Sequence, residues 1–235
     1  MNKQLEEFLI NSGHNGGDIG SAEKPSIWCC GIEWGGENIN SESLQQFLAT
    51  DEWKNIDGLD EMENCGNPTD QGICKVLAAV AGRKVEDYKA FAEEQQIWIK
   101  GAKTGYFKMN LFPLWFENTN VPWSKELKDI FGFADKKEYQ NWCRQYRFPK
   151  MKELMQEHQP KLIIGFGKSH LNDFNLAFSD GNKQFYTNTI DDQEIYWKRE
   201  NNTLLVVVPA VTGGAYSLIS DQSKQEVGEF IRDLL

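Results

Sequence analysis

Histidine is scarce in this chain, with three in 235 residues, at positions 14, 158 and 170. The five cysteines (Cys29, Cys30, Cys65, Cys74 and Cys143) form no CxxC pair and no Cys/His zinc signature. Reduced, structural thiols are therefore expected in preference to a metal site, and no cofactor is expected. Cys29 and Cys30 stand inside an apolar run, where cysteine behaves as a small hydrophobe. No apolar run approaches the roughly 18 residues of a membrane span, so no membrane partner is expected. The N-terminus sets Glu6 and Glu7 beside a very short apolar run, without the basic start and long apolar core of a secretory signal. A cytoplasmic location is the default expectation. Internal repeats and low-complexity segments are absent.

Positive charge is also in deficit. The net charge of -10 (25 basic against 35 acidic residues) argues against a protein that coats nucleic acid non-specifically. The imbalance is uneven. Residues 1–70 hold 14 acidic and 3 basic side chains, whereas 136–168 hold 8 basic and 3 acidic. Two readings follow: solvated faces of opposite sign, or a local anion-binding strip in the second segment.

What is present is a folded chain: 40% hydrophobic residues with 8 Trp, long enough to bury a proper core. Four short apolar segments, 26–32, 106–112, 161–167 and 204–210, read as buried parallel strands, each closed by Gly or Pro. Helices are expected over 2–10, from Ser41 or Ser43 to about Trp53, over 70–82 with Asp70 and Gly82 as caps, and over 84–98. One or two more are expected over 136–158, interrupted near Pro149, then 168–178 and 223–235. A β-hairpin insertion near 183–200 separates the third and fourth strands. Residues 54–69 read as an acidic surface loop over the site. The expected architecture is a single domain over 1–235, a three-layer α/β/α sandwich on a central, mainly parallel four-stranded sheet. Ligands of such sheets sit at the carboxyl ends of the strands.

The loops at those ends carry the candidate chemistry. In "GIEWGG", Gly31, Gly35 and Gly36 allow close approach of a ligand. Glu33 can orient a water as general base or accept a ligand hydrogen bond, and Trp34 offers a stacking face. In "KMNLFPLWF", Asn110 presents a donor and an acceptor suited to the edge of a base, or else satisfies neighbouring backbone. "LIIGFGKSH" fails as a phosphate loop, because Leu162 and His170 stand where glycines are required. Lys168, Ser169 and His170 open a helix there, and an anion at its N-terminus would be favourable. "VVVPAVTGGAYSL" carries an exposed turn with free amides where Thr212 and Ser217 could hold a phosphate, or else a plain glycine turn leading to the last helix.

This order of motifs resembles the uracil-DNA glycosylase superfamily. Gly31-Ile32-Glu33-Trp34-Gly35 is similar to the first motif, which positions the attacking water. Asn110-Leu111-Phe112-Pro113 is similar to the second, which meets the base. "VVVPAVTGG" takes the place of the last motif, which reaches the DNA minor groove. The resemblance covers residues 26–235 and implies the fold of that superfamily and hydrolysis of an N-glycosidic bond of a damaged or mismatched base in DNA. Glu33 would be catalytic, Gly31, Ile32, Trp34, Gly35, Asn110 and Phe112 would bind the base, and Arg144, Arg147, Lys150, Lys168, Thr212 and Gly213 would bind phosphates. The family's last-motif histidine is replaced by Pro209-Ala210-Val211, which removes a hydrogen-bond donor for the leaving base.

Two other classes stand beside the enzyme. One is a non-catalytic regulator that binds a nucleobase, nucleotide or DNA in the same pocket. The other is an interaction protein whose acidic 1–70 region meets a basic partner or mimics nucleic acid.

Overall fold

The computed structural model describes residues 1–56, 65–181, 184–214 and 217–235. Most of the predicted acidic loop, 57–64, lies outside the described residues.

Seven strands form one mixed sheet: β1 (His14–Gly17), β2 (Ile27–Gly31), β3 (Tyr106–Asn110), β4 (Leu162–Phe166), β5 (Tyr186–Ile190), β6 (Gln193–Glu200) and β7 (Thr203–Val208). They lie in the order β1-β3-β2-β4-β7-β6-β5. The four expected strands, β3, β2, β4 and β7, are mutually parallel and central. Three further strands flank them through antiparallel pairings, β1 on β3 at one edge and β6 on β7 then β5 on β6 at the other, so the sheet is wider than the four strands expected. The predicted hairpin extends the sheet at one edge. Asp191 and Asp192 make its two-residue turn, both with positive φ, the geometry that matches strand twist. The opposite edge, β1, has the sequence His-Asn-Gly-Gly, which lacks the β-branched and aromatic residues that announce a strand.

Strand side chains alternate between two cores. Trp28, Cys30, Phe107, Met109, Ile163, Leu205 and Val207 face one side. Ile27, Cys29, Leu162, Ile164, Leu204, Val206 and Val208 face the other. Burying each such aliphatic side chain contributes about 1.5–3 kcal/mol. Helices α1 (Lys3–Asn11), α2 (Ser41–Thr50), α5 (Lys125–Phe131), α6 (Lys136–His158) and α7 (Leu171–Phe178) supply the first core. Helices α3 (Pro68–Val80), α4 (Tyr88–Glu94) and α8 (Asp221–Leu234) supply the second.

Several boundaries differ from expectation. Asn40 caps α2 and exchanges hydrogen bonds with Ser43, and the helix stops at Thr50 because Asp51 turns left-handed. Asn67, not Asp70, caps α3; Asp70 is buried and paired with Lys108 on β3. The expected helix over 84–98 is a 3-10 turn (Val85–Asp87) followed by α4, ended before Gln96 and Trp98, both with positive φ. Helix α6 runs unbroken through Pro149. The proline removes one N–H from a 23-residue helix whose inner face is held by Tyr139, Phe148, Met151 and Met155. Cys65 and Cys74 form a disulfide, correcting the expectation of five reduced thiols. Cys74 sits on the inward face of α3 and Cys65 just before that helix, which brings their Cα atoms to 6.7 Å. Among the described residues no helix is long and apolar enough to cross a membrane.

This topology places the site. From β2 the chain crosses to β3 on one side, then returns past β2 to β4 on the other. Helices α3 and α4 follow β2 on one face, and α7 follows β4 on the opposite face. The carboxyl ends of β2 and β4 therefore border the crevice where such sheets hold ligands.

Candidate functional site

The segment after β2 is pinned along the segment after β3. Leu111 N–H donates to Gly31 O, Phe112 N–H to Ile32 O, and Phe116 N–H to Trp34 O, at 3.0, 2.9 and 3.1 Å. Gly31 is required here, since a Cβ at that position would lie 2.3 Å from Asn110 Oδ1. Ile32, half-buried, reaches across to the end of β4. A Cβ at Gly167 would come within 2.6 Å of Ile32 Cδ1, and Gly167 has a φ of +129°. The two strand ends are thus joined by direct packing.

Glu33 lies in that junction with a side chain only 4% exposed. Lys136, at the start of α6, donates to Glu33 Oε1 at 3.1 Å and to Thr119 O at 3.0 Å. Its Nζ is 3.0 Å from Glu33 Oε2 as well, but off the hydrogen-bond direction, so that oxygen accepts no hydrogen bond among the described residues. The ammonium also sits 4.0 Å from the Phe116 ring centroid. Burial pushes the Glu33 carboxyl up from the ordinary carboxylate range, and the charges of Lys136 and His170 offset only part of that rise. A buried carboxyl with a raised pKa at a strand end is a functional-site signal with a stated cause.

His170 enters the same site from the end of β4. Its Nδ1 is 2.8 Å from Asp173 Oδ2, and Arg144 holds both Asp173 oxygens, at 2.6 and 3.0 Å. Burial alone would raise the Asp173 carboxyl, but hydrogen bonds from His170 and Arg144 together bring it below its ordinary value. An ionised Asp173 fixes the tautomer with the proton on Nδ1 and leaves Nε2 for a ligand. The imidazole meets the Phe112 ring edge-on, with centroids 5.9 Å apart.

On the other flank, Asn15 of β1 accepts from Asn110 Nδ2 at 2.7 Å and from Trp34 Nε1 at 3.0 Å. No donor among the described residues reaches Asn110 Oδ1. Trp34 is half-buried and stacked on Trp115, with Phe47 against its edge. Gly35 stands in an open stretch, with no atom within 4 Å of where a Cβ would be.

Two predicted site residues are corrected. Arg147 is fully buried and donates to the carbonyls of Leu9, Ile10, Leu111 and Asn110, so it braces the core and reaches no phosphate. Phe112 is fully buried among Tyr139, Phe148 and His170, leaving no face on which a base could stack.

The predicted phosphate strip does not converge either. Arg144 is committed to Asp173. Lys150 pairs with Glu153 and lines a cavity of about 130 Å3 beside His14 and Lys54. Lys168 reaches Gln193 on the hairpin. Thr212 and Gly213 line a different cleft, between α3 and α8.

Lys136, His170, Asp173 and Asn15 were not predicted as site residues. For His170 a signal existed: His and Asp three apart in "KSHLND", directly after a buried strand. For Lys136 and Asn15 none did, because each acts across a long sequence gap. No family model matches the chain, and no curated protein matches it.

Proposed function

We propose that this protein is a divergent member of the uracil-DNA glycosylase superfamily that hydrolyses the N-glycosidic bond of a damaged or mismatched base in DNA. The observation that carries the reading is Glu33, at the end of the first parallel strand, lying within electrostatic reach of His170, which follows the third and is held by Asp173. Glu33 takes a proton from the attacking water as the oxygen bonds to the sugar carbon and the bond to the base breaks. The bond electrons leave with the base. His170, in its charged form, donates from Nε2 to the departing nitrogen and supplies the donor that the last strand-end loop lacks. Asn110 Oδ1 and the half-buried face of Trp34 are suited to an extruded base.

The test is strand cleavage of labelled single- and double-stranded oligonucleotides carrying uracil, a G:T or G:U mismatch, or hypoxanthine, followed by alkali. Alkali-labile product from one substrate, lost with Glu33→Gln, supports the reading. Absence of product from every substrate with folded protein removes it. A second reading, a non-catalytic nucleobase-binding regulator, is favoured by the ion pair that occupies Glu33. It predicts stabilisation by a base or nucleotide without turnover.

A further inference from the structure

The cleft that receives Thr212 and Gly213 lies on the opposite face of the sheet from His170 and Arg144. Its walls are the first turns of α3, the turn after β7 and the start of α8. Its volume is about 420 Å3, within the roughly 300–1,000 Å3 of small-molecule sites. Three charged side chains line it, Lys75, Lys224 and Asp221. Lys75 Nζ holds both oxygens of Asp221, at 2.7 and 2.8 Å, and Lys224 Nζ stands 3.9 Å from the same carboxylate. Two ammonium groups therefore share one carboxylate, a local excess of one positive charge in a chain of net charge -10.

Of the three charged groups, Lys224 is the one shielded from solvent. The Lys224 side chain is 6% exposed and spends its donors on the carbonyls of Ile219 and Ser220. Burial, with the charge of Lys75, holds the Lys224 ammonium below its usual range despite Asp221. Donors accumulate at the same place. The N–H groups of Thr212, Gly213 and Gly214 make no hydrogen bond among the described residues, and both glycines have positive φ. The Thr212 hydroxyl is 3.1 Å from that of Thr69, which leaves the pair one further proton to offer. Helices α3 and α8, 13 and 14 residues long, both start at the cleft and add the positive ends of their dipoles. Pro68, Val211 and Ile219 supply an apolar wall.

We infer that this cleft binds a phosphate monoester of a small molecule, with the phosphate at Lys75, Thr212 and the Gly213–Gly214 turn and the remainder of the ligand against Pro68, Val211 and Ile219. A tetrahedral oxyanion matches several donors arriving from different elements and completes the two-cation, one-carboxylate set. The apolar wall and the volume call for more than an ion. The inference is independent of any glycosidic chemistry at Glu33.

Titration calorimetry with inorganic phosphate, dAMP, deoxyadenosine and a single-stranded oligonucleotide lacking a terminal phosphate tests it. The expected result is binding of dAMP, weaker binding of phosphate, and none of deoxyadenosine. Loss of one charge-assisted contact in Lys75→Met should weaken dAMP about tenfold or more. Thr212→Val, which leaves the ion pair intact, should weaken it in the same direction. No dAMP binding at millimolar concentration, binding by the oligonucleotide alone, or dAMP binding indifferent to both variants would overturn the inference.

Discussion

Replacing Lys136 by methionine isolates the electrostatics of Glu33. The substitution keeps most of the aliphatic stem over Phe116 and removes the ammonium that lies 3.0–3.1 Å from both carboxylate oxygens. Both partners are shielded, with side chains 15% and 4% exposed. At an effective dielectric constant of about 20, unit charges ~3 Å apart attract by about 5 kcal/mol. Removing one partner of a buried pair typically costs about 3–5 kcal/mol, because the other charge is left uncompensated. Urea unfolding near neutral pH should show a loss of that order. The pH dependence is the sharper part. Glu33 already holds its proton more tightly when folded than the ordinary 4.5 of a free glutamate, so its burial destabilises the protein as pH rises above that value. Without Lys136 that penalty grows. The gap between wild type and Lys136→Met should therefore widen as pH rises through the range above the ordinary value and shrink as pH falls below it, where Glu33 is neutral in both proteins. The acid limb of any turnover should move to higher pH in the variant. A loss under about 1 kcal/mol that is the same at acid and neutral pH would place Glu33 in solvent and refute the reasoning.

Three further outcomes follow from the same geometry. His170→Asn should reduce turnover by about 100-fold or more with little change in unfolding free energy, and Asp173→Asn should reproduce part of that loss, both read from single-turnover kinetics. Arg147→Met should cost about 3 kcal/mol or more in urea unfolding, since it strands four backbone carbonyls. Unreduced protein in denaturant should titrate three thiols, Cys29, Cys30 and Cys143, and the folded protein none, because all three are buried and burial pushes the Cys143 thiol up to about 12. Five reactive thiols in denaturant would contradict the Cys65–Cys74 bond.

The sheet was legible wherever one residue type repeated over a short span. Runs such as "KLIIGFG" and "LLVVVPA" must be buried on both faces, so they announced β4 and β7 without tertiary information. β1 was invisible because His-Asn-Gly-Gly takes its strand geometry from pairing with β3, and Gly17 passes close to Tyr106 and Trp98. Glu33 was found because a carboxylate between glycines at a strand end is a local pattern. Its partner was not, because Lys136 is 103 residues away in sequence and nothing around it differs from other surface lysines. Arg147 shows the converse. In sequence it belongs to a basic stretch, and only the fold turns it inward onto four carbonyls. Charge counts along a helix do not tell which side of the helix a given cation faces.

The most direct test of the proposal is release of free base, measured by chromatography, from oligonucleotides carrying uracil, a G:T or G:U mismatch, or hypoxanthine, under single-turnover conditions with excess protein. The account predicts stoichiometric base release by the wild type and none above background by a folded Glu33→Gln protein. Equal release by both proteins, or none by the wild type on any damaged or mismatched base, would contradict the assignment of Glu33 as the water-activating group.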